Sequence, residues 1–257
     1  MTQEAKSKAN HRPKLNGRLF AIGDVHGCPD EVAAILQAVK PEAGDTVIFV
    51  GDYVDRGPAS RGVIELAMEL ERGPAECVFL KGNHEDMMLS FLGRPGNYGE
   101  SFLFNGGVAT LDSYGIGEND LENDVEEIAS RIPDSHLKFL ERLSLSYLRP
   151  PYLFVHAGIM PLRQLEEQQP EDLLWIRQEF IFQPHNLGAT VVFGHTPMRG
   201  VMIDLPYKLG IDTGLVYGGK LTCVELNEGV MHQVARGSGE VKSRRMPMDL
   251  KETEIFK

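Results

Sequence analysis

Apolar and polar positions alternate along this chain in blocks. Apolar runs at residues 18–22, 46–50 and 77–80 read as short buried strands, and each ends in Gly with polar residues. Between them the apolar period changes. After Pro29-Asp30-Glu31, a good helix start, Val32, Ile35, Leu36 and Val39 recur at i, i+3, i+4, i+7 until Pro41 and Gly44 stop them. After Pro58, Val63, Leu66, Ala67 and Leu70 repeat the pattern until Gly73-Pro74. The third run is followed by a helix with Met87, Met88, Leu89, Phe91 and Leu92, its methionines serving as core filler. Such β-α-β-α-β alternation predicts a parallel sheet covered by helices, with the three polar turns on one edge.

Residues 93–149 read as mostly helical, with Asn105-Gly106-Gly107 interrupting, an amphipathic acidic stretch at 122–132 whose charges face solvent, and a helix at 135–143. Strands return at 152–155 and 190–193, around a looser segment at 173–177. Closely spaced short strands follow at 201–205, 208–212, 220–226 and 230–234, which predicts an antiparallel or mixed second sheet. The expected layout is a polar, flexible arm over 1–16, one domain over 17–237, and a loose charged tail over 238–257.

Five strand ends share one grammar, an apolar run and then Gly or Ala close to His, Asp or Asn. They are Gly23-Asp24-Val25-His26-Gly27, the heptapeptide Gly51-Asp52-Tyr53-Val54-Asp55-Arg56-Gly57, Gly82-Asn83-His84-Glu85, His156-Ala157-Gly158 and Gly194-His195-Thr196. Ligands bind at this edge of open α/β sheets. Mixed carboxylate and imidazole ligands suit Mn, Fe or Zn. Asp24, His26, Asp52, Asn83, His84, His156 and His195 are too many for one ion but suit two ions about 3.5–4 Å apart. Asp52, in the middle of the set, is the candidate bridge, and a water caught between the ions would ionise near neutral pH and attack. Arg56, joined by Arg177, suits phosphate oxygens. His84, hydrogen-bonded to Asp55, would be oriented and kept protonated as general acid for the leaving alkoxide. The other histidines, His11, His136, His185 and His232, lie in a tail, helices or loops and are expected to be structural.

The remaining features narrow the class. A net charge of -11 argues against broad nucleic-acid binding. No run approaches the roughly 18 apolar residues of a membrane helix, and the arm lacks the apolar region of a secretory signal. Cys28, Cys77 and Cys223 are odd in number and far apart, which points to a reducing cytoplasm rather than a disulfide framework.

The ordered set GDVHG, GDYVDRG, GNHE, HAG and GHT resembles the PPP-type serine/threonine phosphatases of the calcineurin-like metallophosphoesterase superfamily, from residue 19 to about 220. The resemblance implies the superfamily's four-layer α/β/β/α sandwich with two central mixed sheets. It implies that Asp24 and His26 share the first metal with the bridging Asp52. Asn83, His156 and His195 complete the second, with Mn as the leading candidate. Asn83, Arg56 and Arg177 would also meet the substrate phosphate, and Asp55 with His84 would form the acid pair. The implied partner is a phosphoprotein or phosphopeptide.

Lys81 stands where eukaryotic members have Arg, and their SAPNY-type segment is absent. The Asn105-Gly106-Gly107 insert and Ile211-Asp212-Thr213-Gly214 look more like bacterial and phage-type members, which accept phosphoserine, phosphothreonine and sometimes phosphotyrosine. The alternatives are a symmetrical diadenosine-tetraphosphate hydrolase, whose members typically carry Gln at the His26 position and lack the acid at 55, and a non-catalytic phosphopeptide-binding scaffold, whose signature would be a lost ligand.

Overall fold

The structure, a computed structural model, describes residues 17–246. Strands β1 (Leu19–Ile22), β2 (Thr46–Phe49) and β3 (Glu76–Phe79) run parallel, with Leu19 opposite Thr46 and Thr46 opposite Glu76. Helices α1 (Pro29–Val39) and α2 (Ser60–Leu70) make the crossovers that parallel pairing requires. The chain then turns helical through α3 (Asn83–Phe91), α4 (Gly107–Ser113), α5 (Val125–Ser130) and α6 (Asp134–Glu141). A hairpin of β4 (Ser146–Arg149) and β5 (Tyr152–Val155) follows, then α7 (Pro170–Trp175), α8 (Gln178–Ile181) and β6 (Thr190–Phe193). The C-terminal strands are β7 (Met202–Asp204), β8 (Lys208–Gly210), β9 (Lys220–Glu225), β10 (Val230–Ala235) and β11 (Val241–Arg245).

These strands form two mixed sheets, one in the order β11-β10-β9-β1-β2-β3 and the other β4-β5-β6-β8-β7. The C-terminal strands therefore do not make one second sheet, as their even spacing predicts. β7 and β8 join the second sheet, whereas β9 pairs antiparallel with β1, Ala21 opposite Val224. With β2 on one side, β1 has a free edge of backbone donors and acceptors on the other, and β9 satisfies them. The tail expected to be loose from 238 onward instead contains β11, paired with β10 from Val230–Arg245 to Val234–Val241. Its run Lys-Ser-Arg-Arg suits an edge strand, where charge discourages further pairing. Residues 247–257 and the arm over 1–16 lie outside the described residues. β4 falls at the end of the stretch expected to be helical, since four residues are too few to show a strand period.

Alternation along the strands builds the layers. Leu19 and Ala21 of β1, Ile48 of β2 followed by Val50, Tyr152 and Phe154 of β5, and Val192 of β6 meet between the sheets. The opposite faces, Phe20, Ile22, Val47 and Phe49, pack on Val32, Ile35, Val63, Ile64, Met87, Met88 and Leu140 of the helices. Leu153, Val155, Val191 and Phe193 face Leu173, Ile176 and Phe180 on the far side. This is the expected α/β/β/α sandwich. Each fully buried large apolar side chain contributes about 1.5–3 kcal/mol of burial energy. Because β1, β2 and β3 are mutually parallel, as are β5, β6 and β8, the C-terminal ends of six strands open along one rim.

Candidate metal centre and acid pair

The rim carries the five motifs, and its backbone is unusually bent. His26, Asp52, Asp55, Arg56 and His195 all have positive φ, between 42° and 72°; the only other described non-glycine residues that do are Lys40, Tyr98 and Leu162. Each such conformation costs on the order of 1–3 kcal/mol, and it persists where surrounding contacts over-determine it. At the rim those contacts are hydrogen bonds between motifs. Both Val25 and His26 donate backbone N–H to the Asp52 carbonyl, at 3.1 and 2.8 Å. Glu85 binds more widely. Its Oε1 accepts the N–H groups of Tyr53 (2.7 Å) and Val54 (3.2 Å), and its Oε2 those of Asp52 (2.9 Å) and Gly82 (2.8 Å). Burial pushes the Glu85 carboxyl up to about 7. With four N–H groups on its two oxygens there is no position left for a proton, so the geometry fits only the carboxylate. Gly82 is required for this approach, because a Cβ there would lie 2.1 Å from Asp52 Oδ1.

Two groups of ligand atoms share Asp52. Those of Asp52, His156 and His195 lie within 4.8 Å of one another, and so do those of His26, Asp52 and His84. In the first group His156 Nδ1 donates to the Val50 carbonyl at 2.9 Å, so Nε2 presents a lone pair. That lone pair faces Asn83 Oδ1 at 3.0 Å, His195 Nδ1 at 3.2 Å and Asp52 Oδ1 at 3.4 Å. His195 Nδ1 in turn lies 2.9 Å from Asn83 Oδ1, and the buried His195 Nε2 has no partner. Burial holds both imidazoles below their ordinary value and therefore neutral. Four buried acceptor atoms thus converge, and besides the His84 backbone N–H, which reaches Asp52 Oδ1 at 3.2 Å, at most one proton lies among them. Such an arrangement suits a cation, and carboxylate, amide and imidazole donors fit Mn, Fe or Zn.

In the second group His26 Nδ1 donates to the Val54 carbonyl at 2.8 Å, and burial pushes the imidazole down to about 3. Its Nε2 lies 3.4 Å from Asp52 Oδ2 and 2.6 Å from Nη1 of Arg56, whose guanidinium caps that lone pair. His84 Nδ1 meets Asp55 Oδ2 at 2.5 Å. Burial would lower His84, but the Asp52 charge and the Asp55 hydrogen bond outweigh it, and its pKa is raised. Burial would also raise Asp52, yet it is held well below the ordinary carboxylate range; with His156, His195 and His26 neutral, the imidazole charge that can do this is that of His84.

Asp24 falls in neither group. Its Oδ2 accepts the His195 N–H at 2.9 Å, its buried Oδ1 has no partner, and a Cβ on Gly194 would sit 2.0 Å from that oxygen. Burial, and then repulsion by Asp212 and Asp52, pushes Asp24 well above the ordinary range. A cation at the rim would relieve that crowding of carboxylates. Arg177 is exposed at the start of α8, and its charge helps to depress His156 and His195.

Three further residues belong to the site. Besides Glu85, Asp212 is buried where β8 ends and is pushed up to about 6 by burial and then by Asp52. Thr110 of α4 donates to Asp55 Oδ1 at 2.7 Å. The segment containing Asp212 stands out as strand, then polar turn, in the sequence, whereas Thr110 lies mid-helix with no local signal. The three described histidines expected to be structural each have an ordinary hydrogen-bond partner, although His232 lies in strand β10 rather than in a helix or loop. His136 bonds Tyr114 (2.9 Å), His185 bonds the Tyr207 carbonyl (2.9 Å), and His232 bonds Ser243 (2.8 Å). Cys28 is buried, with its thiol pushed up to about 12 by burial, and it donates to the His26 carbonyl.

The chain is similar to several bacterial hydrolases. It is 28% identical over 226 residues to the serine/threonine-protein phosphatase 1 of Salmonella typhimurium, covering 81% of this chain and 91% of that protein. It is 24% identical to a symmetrical bis(5'-nucleosyl)-tetraphosphatase of Janthinobacterium sp., covering 84% of this chain and 95% of that one. A solved structure described as a putative diadenosine tetraphosphatase superposes with a TM-score of 0.66 at 25% identity, over 88% of this chain and 96% of the other. Residues 17–224 match the family described as calcineurin-like phosphoesterase, and with its motifs gathered on one rim the chain belongs to that family.

Proposed function

We propose that this phosphoesterase is a phosphoprotein phosphatase, hydrolysing phosphoserine and phosphothreonine monoesters at a pair of metal ions. The observation that carries the reading is the Asp55–His84 pair, joined at 2.5 Å and set beside Arg56 at the edge of the ligand cluster. A serine or threonine alkoxide is a poor leaving group and needs a proton as the ester bond breaks. A phosphoanhydride releases a phosphate group and needs that help far less. A buried, oriented acid pair is therefore the feature that an alkyl phosphomonoesterase requires.

In this reading Asp24, His26 and Asp52 hold one ion, and Asp52, Asn83, His156 and His195 the other, with Mn the proposed metal. Bound there, the two ions supply positive charge for the phosphoryl oxygens and lower the pKa of a water. Arg56, Arg177 and Asn83 hold the phosphate, the two arginines through the planar fork that suits its oxygens. His84 carries the proton, and Asp55 fixes the ring so that Nε2 faces the leaving oxygen. The substrate would be a phosphoprotein. The free cysteines fit a reducing cytoplasm. Among the described residues no helix is long and apolar enough to cross a membrane.

Hydrolysis of dinucleoside tetraphosphates is the second reading, supported by the likeness to a symmetrical tetraphosphatase and to the solved putative diadenosine tetraphosphatase. One assay separates the two. Phosphoserine peptide, phosphotyrosine peptide and diadenosine tetraphosphate are compared at equal concentration with added Mn²⁺ and an EDTA control. Faster turnover of the peptides, lost in EDTA, is the expected result and also reads the side-chain preference. Faster turnover of the dinucleotide sinks the protein-phosphatase reading.

A further inference from the structure

The helical insert reaches the acid pair through one buried hydroxyl. Thr110 of α4, Ser60 at the start of α2 and Asp55 are all fully buried. Thr110 Oγ1 lies 2.7 Å from the Asp55 N–H nitrogen, 2.7 Å from Asp55 Oδ1 and 2.9 Å from Ser60 Oγ. The Asp55 N–H is also within 3.1 Å of Ser60 Oγ. Proton counting sets the directions. As a carboxylate, Asp55 only accepts, so the single Thr110 proton goes to Oδ1. Thr110 Oγ1 must then accept from the Asp55 N–H, and Ser60 must donate to Thr110. The ring of hydrogen bonds closes on one residue, binding its backbone and its carboxyl together. That closure accounts for Asp55 holding a φ of 72° without being glycine. With Oδ1 taken by Thr110, Oδ2 is left to meet His84 Nδ1. The same insert supplies the Gly106 carbonyl that accepts the Arg56 N–H at 3.1 Å.

We propose that Thr110 is a positioning residue for the acid step. Its hydroxyl fixes the rotation of the Asp55 carboxyl and, through it, the tilt of the His84 ring, so that Nε2 meets the leaving oxygen. As the ester P–O bond breaks, its electron pair goes to that oxygen, which takes the Nε2 proton, while water oxygen forms the new bond to phosphorus and gives up a proton to solvent, from which His84 is re-protonated. This inference rests on the assignment of His84 as acid in the proposed function. It does not depend on the substrate being a protein.

The test compares two aryl esters with Mn²⁺ present. p-Nitrophenyl phosphate has an acidic leaving group that needs little protonation, and phenyl phosphate has a poorer one. Thr110→Val removes the hydroxyl and keeps the shape. General-acid catalysis supplies about 10²–10⁴-fold, so kcat for phenyl phosphate should fall by at least about 30-fold. The fall for p-nitrophenyl phosphate should stay under about threefold, with bound metal per chain unchanged. Thr110→Ser should restore the ratio between the esters. A merely structural role would lower both rates together, and equal losses, or no loss on phenyl phosphate, would overturn the proposal. If Thr110→Val does not fold, Ser60→Ala removes the donor to Thr110 and should show the same asymmetry in weaker form; equal losses there also overturn it. No turnover of either ester by the wild type would remove the acid step and the proposal with it. Turnover of the esters without turnover of a phosphoserine peptide would instead overturn the protein-phosphatase reading alone.

Discussion

The two ligand groups share Asp52 and are built in opposite ways. Around His156 and His195 the polar atoms are acceptors turned toward each other, and they come from both sheets. Around His26 and His84 every acceptor but Asp52 Oδ2 already meets a proton donor, with Arg56 on His26 and the His84 ring on Asp55. Converging side-chain lone pairs, with one backbone N–H on Asp52 Oδ1 among them, mark a place for a cation. A carboxylate–imidazole pair beside a guanidinium marks a place where an anion and a proton meet, next to the ion that His26 and Asp52 would hold. Protonation divides less cleanly, since His84 is raised while its neighbour His26 is neutral like His156 and His195.

The largest expected effect comes from the residue the groups share. Asp52→Asn should remove metal from both, lowering affinity by more than the 10–100-fold that loss of a supporting residue causes, and abolishing turnover. Wild-type metal content in that variant, measured by elemental analysis after dialysis, would break the idea of a bridge. His84→Asn and His156→Asn then sharpen the contrast. The first should lose about 10²–10⁴-fold in kcat with metal retained, and the second should lose metal. Because His84 Nε2 lies 4.0 Å from Asp52 Oδ2, within reach of a common ion, metal loss in His84→Asn would reassign it as a ligand.

Arg56→Ala separates substrate binding from metal binding within one group. Losing charge-assisted hydrogen bonds to phosphate should cost about 1.5–3 kcal/mol, roughly 10- to 100-fold in KM. Metal should bind no more weakly, since the guanidinium that caps His26 Nε2 would be gone. Weaker metal with unchanged KM would place Arg56 on the metal side of the comparison.

The acid and anion side was the more legible in sequence. Asp52, Asp55 and Arg56 sit in one heptapeptide, and Asn83, His84 and Glu85 in one tetrapeptide, so strand-then-turn grammar reaches them. His156 and His195 were legible because each follows a four-residue apolar strand. What escaped is contact made across long separations. Glu85 binds backbone 32 residues away, and Thr110 binds Asp55 across 55. Neither bond leaves a local pattern. The order of the C-terminal strands escaped for a related reason. Alternation marks which residues form a strand, while the free edge of β1 decides that β9 joins the first sheet.

The smallest effect tests the backing of the cation side. Gly194→Ala would place a methyl 2.0 Å from Asp24 Oδ1 and 2.9 Å from Val50 Cγ2. Overpacking of this kind costs about 1–3 kcal/mol, seen as a lower midpoint in denaturant with an unchanged slope. Asp24 must shift, and with it the carboxylate that accepts the His195 N–H. Metal affinity should therefore drop while the acid pair, bonded to α2 and α4 rather than to β6, stays in place. The ratio of rates on phenyl and p-nitrophenyl phosphate at saturating Mn²⁺ should stay at the wild-type value. A changed ratio would mean that the two groups move as one body and that their contrast lies in chemistry alone, not in mechanical independence.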